Sequence, residues 1–115
     1  MIIMISSQGD TLNSQPNPRF GSTPFFIKID LATDTWESYP NQAVNQSGGA
    51  GVAASQFLID HGAEAAISGR YGPNAHRALK SAGVRMFTFN NNILSISEVI
   101  EAFKKDKLEE IKIAL

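Results

Sequence analysis

The 115-residue chain contains no cysteine. That excludes disulfides, a thiol nucleophile and thiolate ligation of a metal. Histidine is almost as scarce. Only His61 and His76 occur, and they do not stand at i, i+4 spacing, so metal chemistry has few protein ligands or none. Charge of one sign is missing as well. Ten basic residues face eleven acidic ones, for a net charge of −1, without the basic excess of a general nucleic-acid binder. No apolar run approaches the roughly 20 residues of a bilayer span. The start, Met1 to Ser6, lacks the basic region and the length of a secretion signal, so a cytoplasmic protein is expected. No G-K-[ST] loop and no G-x-S-x-G elbow is present. Asp30, Asp34, Glu37, Asp60 and Glu64 are scattered at turns and strand ends and offer no pair to act as general acid and base. Two-metal hydrolytic chemistry needs clustered carboxylates, and the strands supply Asp30 and little else. No catalytic residues are assigned and an enzyme is not expected.

What is present fits one α/β domain, with 43% hydrophobic residues for its core. The β-branched run at residues 1–6 predicts a buried first strand. Residues 7–24, rich in Gly, Asn and Pro, predict a loop whose length suggests function. Phe25 to Leu31 and Thr35 to Tyr39 predict two strands joined by the tight turn Ala32-Thr33-Asp34, hence an antiparallel hairpin. A helix is predicted from about Gly51 to His61, stopping at Gly62. Ala65-Ala66-Ile67 follows as a short buried strand. Pro73 suits the first turn of a second helix, which runs to about Ala82. Val84 to Phe89 is the last predicted strand. Ser95 or Ser97 caps a final helix, and with Ser95 as cap Glu98 completes a capping box. From Lys104 to Leu115 the chain extends that helix, packs as a separate turn, or frays; we take 1–108 as the domain and 109–115 as a tail with a mobile end. The natural strand order is 3-2-1-4-5, a mixed five-stranded sheet with about three helices. It sets the loops after strands 1 and 4 side by side at a switch point, where ligands tend to bind. The glycine run joins them there only if the loop at 40–50 brings it to that edge.

Two glycine-bearing loops carry the candidate site. Ser47-Gly48-Gly49-Ala50-Gly51 opens directly into the first helix. Its Gly49-Ala50-Gly51-Val52-Ala53-Ala54 matches G-x-G-x-x-A, but no buried strand precedes it and no acidic residue follows about 20 positions later, so dinucleotide binding is not expected. The run serves equally as a tight helix entry or as an anion site built on free N–H groups. In Gly69-Arg70-Tyr71-Gly72-Pro73-Asn74-Ala75, Arg70 is either a solvated turn residue or a charge clamp. Arg19 and Phe20 lie in the long loop, where Phe20 is more simply a plug at the core edge. His61 suits the end of its helix by the dipole alone. His76 is more simply an exposed helical residue than a ligand. The candidate binding set is Arg19, Phe20, Gly48, Gly49, Ala50, Gly51, Gly69, Arg70, Tyr71, Gly72, Pro73, Asn74 and His76.

Arg19-Phe20-Gly21, Gly48-Gly49-Ala50-Gly51, His61-Gly62-Ala63-Glu64, Gly72-Pro73-Asn74-Ala75 and Ala82-Gly83-Val84, in this order and spacing, resemble the dinitrogenase iron-molybdenum cofactor biosynthesis family over about residues 1–108. The resemblance implies a ribonuclease-H-like three-layer fold with a mixed five-stranded sheet. The family includes carriers of iron-molybdenum cofactor or its precursors, small stand-alone proteins, and the orange protein with its molybdenum–copper sulfide cluster. This chain has the stand-alone size. Many relatives have His where this chain has Arg19, and cysteine, which some relatives use, is missing.

The resemblance implies a non-enzymatic carrier for an anionic, molybdenum-containing metal–sulfur cluster, with iron or copper as second metal. Such a cluster brings its own sulfides and negative charge, and backbone N–H groups, Arg19, Arg70 and His76 could hold it without covalent ligands. The implied partner is a protein that donates or accepts the cluster; neither nucleic acid nor membrane is expected, and the chain is expected to be monomeric. The alternative is a binding module for a phosphate- or carboxylate-bearing metabolite.

Overall fold

The structure is a computed structural model that describes residues 1–43 and 49–112. Strand β1 (Ile2–Ser7) lies inside the sheet, because its consecutive apolar residues Ile3, Met4 and Ile5 are buried on both faces. It pairs antiparallel with β2 (Phe25–Asp30), which pairs antiparallel with β3 (Thr35–Pro40) through the predicted tight turn. Asp34 in that turn takes φ 57°. On its other side β1 pairs in parallel with β4 (Ala65–Ile67), and β4 in parallel with β5 (Arg85–Thr88). The resulting order β3-β2-β1-β4-β5 is the one expected from the sequence, with a sixth strand added at the end.

Alternation along the strands sorts the core into two halves. Met4, Phe26, Ala66 and Met86 face helices α1 (Ala50–Asp60) and α2 (Pro73–Ser81), meeting Ala54, Leu58, Ala75 and Leu79. Ile3, Ile5, Ile27, Ile29, Ala65, Ile67 and Phe87 face the opposite way, onto Ile96, Val99 and Ile100 of α3 (Ile96–Lys104). The domain is therefore a three-layer α/β/α fold. Its helices end where the sequence indicates, at Gly62 and Gly83, both with positive φ (75° and 76°). Ser95 is the cap of α3 and accepts from the Glu98 N–H at 3.2 Å. In place of the cap residue's N–H, the Glu98 carboxylate accepts from the Leu94 N–H at 3.4 Å, and its other oxygen lies 3.5 Å from the Ser95 hydroxyl.

One segment differs from the sequence reading. Beyond α3 the chain neither extends the helix nor frays at once. It turns at Asp106 (φ 56°) and enters β6 (Glu109–Glu110), antiparallel to β5. The Ile111 N–H then donates to the Met86 carbonyl at 2.8 Å. The start of the supposed tail is thus an edge strand of the sheet, held by a two-pronged Arg85–Glu110 ion pair with both N···O distances at 2.9 Å. Residues 113–115 of the supposed mobile end lie outside the described residues. Among the described residues no helix is long and apolar enough to cross a membrane.

Candidate functional site

Three strands deliver their chain ends to one edge of the sheet. In the ladder, Ser7 stands opposite Phe25 and Phe25 opposite Pro40, so β1 and β3 finish level with each other. β4 runs parallel to β1 and finishes at the same edge. The segment leading into α1 therefore leaves from the edge where the loops after β1 and β4 emerge. Gly51, at the described end of the glycine run, stands at this edge against Gly21; the middle of the connection, residues 44–48, lies outside the described residues.

The long loop after β1 is a fixed wall. The Ser7 N–H donates to Thr23 Oγ1 at 3.0 Å, and that hydroxyl oxygen also lies 3.0 Å from the Ser7 carbonyl. Buried Asn41 reaches back with its amide to the Gly21 and Thr23 carbonyls at 3.1 and 2.9 Å. The Asn17 N–H donates to the Ser6 carbonyl at 2.9 Å, and the Ser6 hydroxyl bonds the Asn17 carbonyl at 2.6 Å. Behind them, the buried Ser6 and Ser68 hydroxyls meet at 2.8 Å and tie β1 to β4. A segment anchored at both ends and in the middle is poorly suited to act as a lid.

The two arginine loops are joined through their backbones. The Arg70 N–H donates to the Pro18 carbonyl at 2.8 Å, and the Phe20 N–H donates to the Arg70 carbonyl at 3.2 Å. This is a one-residue parallel bridge pairing Arg19 with Arg70. Neighbouring strands in such pairing lie about 4.8 Å apart, so the two stems emerge side by side. Gly69 permits the approach, since a Cβ there would fall 2.7 Å from the Pro18 carbonyl oxygen and 2.8 Å from its Cα. Phe20 and Tyr71 anchor the bridge from below. Their ring centroids are 5.2 Å apart, and Phe20 is also 5.2 Å from Phe26. The Tyr71 hydroxyl lies 2.9 Å from both the Ala66 and Phe87 carbonyls, sharing its proton between them. Burial pushes this phenol far above the ordinary tyrosine range.

Small residues bring the two helix starts against the wall. A Cβ on Gly21 would lie 3.3 Å from the Gly51 backbone, and one on Gly51 would lie 3.4 Å from Ala75. Ser55, buried beneath, donates to the Gly51 carbonyl at 2.7 Å and lies 3.4 Å from the Ala75 carbonyl. Helix α1 begins from Gly49 and α2 from Gly72. Neither has a side-chain cap or an acidic residue in its first turn, so the positive ends of both dipoles stay uncompensated by side chains.

The result is an open cleft of about 330 Å³ bounded by Arg19, Phe20, Gly21, Ser22, Ala50, Gly51, Arg70, Tyr71, Gly72 and Ala75. No carboxylate lines it. Among the described residues neither arginine side chain makes an ion pair, and both arginines are exposed. Two arginines and two uncapped helix starts, with no carboxylate between them, give this cleft a positive electrostatic bias.

Of the residues expected from the sequence, Arg19, Phe20, Ala50, Gly51, Arg70, Tyr71 and Gly72 line this cleft. Phe20 and Tyr71 do so as its floor, with their rings in the core. Gly49 is the cap of α1, and Gly69 acts from behind by admitting Pro18. Pro73, Asn74 and His76 are not among the lining residues. Pro73 opens α2, Asn74 accepts from Arg77 at 3.4 Å, and His76 is half-buried on the helix. Gly48 lies outside the described residues. Gly21, Ser22 and Ala75 complete the lining. Gly21 was legible only as part of Phe20-Gly21, and Ser22 carried no signal. His61 sits at the far end of α1, its Nδ1 donating to the Phe57 carbonyl at 2.8 Å beside the Tyr39 ring. No three His, Asp or Glu side chains among the described residues come together to hold a metal ion.

Comparison with known proteins adds independent findings. The chain is similar to the apo form of the orange protein from Desulfovibrio gigas, with a TM-score of 0.90 and 28% identity over 96% of this chain and 92% of that one. It is also similar to a Thermotoga protein, solved by NMR, described as a candidate NifB and placed in the DUF35 family. That match has a TM-score of 0.86 and 31% identity over 99% of this chain and 96% of the other. None of the curated proteins matches the chain. The family model described as dinitrogenase iron-molybdenum cofactor matches residues 1–106, and the chain belongs to that family.

Proposed function

We propose that this protein is a non-enzymatic carrier for an anionic metal–sulfur cluster that contains molybdenum, with iron or copper as second metal. The observation that carries the reading is the cleft, where Arg19 and Arg70 stand between two helix starts and no carboxylate faces them. With no cysteine in the chain, a bare metal ion would find no thiolate here. A preassembled thiometalate arrives with its coordination completed by its own sulfides and presents negative charge to the cleft. The protein's task is then to receive that charge through charge-assisted hydrogen bonds, which are about twice as strong as neutral ones. Membership of the iron-molybdenum cofactor family and the likeness to the orange protein support the choice of cargo. A cluster carrier hands its load to a second protein, so the partner is a donor or acceptor of that cluster. The protein works as a cytoplasmic monomer in this reading.

Anaerobic reconstitution with tetrathiomolybdate and copper(I) or iron(II) tests the proposal. The expected result is visible absorbance that elutes with the protein, carrying molybdenum and the second metal. Arg19→Glu and Arg70→Glu should each reduce that uptake. No uptake by the unaltered protein, together with thermal stabilisation by phosphate- or carboxylate-bearing metabolites, would replace the cluster with a small organic anion as the cargo.

A further inference from the structure

Arg19 and Arg70 come from loops far apart in sequence, yet the backbone holds them in register. Both hydrogen bonds of the bridge involve the Arg70 peptide groups, and the Gly69 hydrogen lets Pro18 sit against them. Two guanidinium-bearing stems are thereby fixed as neighbours, although like charges repel and no carboxylate of the described residues offsets them. The supports beneath are rigid: Phe20 and Tyr71 pack in the core, and the Tyr71 hydroxyl is tied to β4 and β5. A fold that only needed a strand-to-helix turn would have no use for two adjacent cations at a point its backbone holds this closely.

We infer that Arg19 and Arg70 form one two-pronged clamp, which selects cargo carrying at least two negative charges over singly charged anions of the same shape. The inference deepens the carrier reading and rests on it. A doubly charged ligand can satisfy both guanidinium groups at once and remove their mutual repulsion. A singly charged one satisfies one prong and leaves the other uncompensated. The gain from the second prong requires both arginines, so losing either one removes the discrimination.

Molybdate and perrhenate are tetrahedral oxyanions of nearly the same size, the first doubly and the second singly charged. Isothermal titration of the unaltered protein, Arg19→Gln and Arg70→Gln with both anions, and with tetrathiomolybdate, isolates the effect of charge from that of shape. The unaltered protein should bind the doubly charged anions about tenfold or more tighter than perrhenate, the factor that one further charge-assisted contact provides. Either single substitution should bring the ratio to within about threefold, and the double variant should weaken binding less than the product of the two single effects. Binding of molybdate and tetrathiomolybdate without preference over perrhenate would overturn the clamp and leave the carrier reading standing. So would a preference that survives in both single variants. Failure to bind any of the three anions, with no uptake of preassembled cluster, would overturn the carrier reading itself.

Discussion

At Gly69 a hydrogen atom stands where any other residue would put a Cβ within 2.8 Å of the Pro18 backbone. Gly69→Ala should therefore push the Arg70 loop off the Arg19 loop. The expected outcome is a folded protein with loss of amide protection at Arg70 and Phe20, measurable by hydrogen exchange, and weaker anion binding. Tyr71 works from the other side. Replacing it with Phe leaves the Ala66 and Phe87 carbonyls without their hydroxyl donor, and should lower stability by about 1–3 kcal/mol in denaturant unfolding. The same burial has a pH signature. The folded-state pKa of Tyr71 is raised, so its contribution is complete below the ordinary tyrosine value of about 10 and declines as pH climbs beyond it. Tyr39 is raised too, first through its hydrogen bond with Glu37, but it is on the surface. Spectrophotometric titration of these two tyrosines should show Tyr39 ionising in the folded protein and Tyr71 only together with alkaline unfolding. These roles were only half visible in the sequence. A glycine, an arginine and an aromatic residue in one loop suggest a site, but that Phe20 and Tyr71 work as its floor depends on a stacking partner some fifty positions away in the chain.

Among the elements, the legible ones carry local signals. Pro73 opens α2, Ser95 and Glu98 open α3, and Gly62 and Gly83 close the two helices on the other face. β6 carries no such signal. It is two glutamates long, and its pairing depends on Arg85, 25 residues earlier, whose guanidinium also lies 5.0 Å from the Phe87 ring. The Glu110 carboxyl is held below the usual carboxylate range, first by its hydrogen bond to Arg85. A lowered folded-state pKa means stabilisation that is present above the unfolded value of about 4.3 and lost as pH falls through the folded one. Because Arg85 is more than half exposed, the pair contributes less than about 1 kcal/mol. Glu110→Gln should therefore lower the unfolding midpoint slightly at neutral pH, and the difference from the unaltered protein should vanish on acidification below the glutamate range. The loop expected at 7–24 was legible as a loop from its length and turn residues. That it is a wall was not, because the groups that fix it are Ser6, Ser7, Thr23 and Asn41, small polar residues whose partners lie across the fold.

For the whole molecule, strand order and layers followed from alternation and from a hairpin too short to cross over. The position of α1 depended on one further fact. β3 must end level with β1, and two successive antiparallel pairings ensure that it does. This brings Gly51 against Gly21 and Ala75, turning scattered glycine motifs into one cleft. Pro73, Asn74 and His76 follow Gly72 directly in sequence, but they are not among the residues that line the cleft. The central claim is that the cleft holds a molybdenum-containing thiometalate cargo. Metal and acid-labile sulfide analysis of the protein purified anaerobically from its native host tests it most directly. The account predicts molybdenum and sulfide eluting together with the protein; protein from molybdenum-replete cells that carries neither would contradict it.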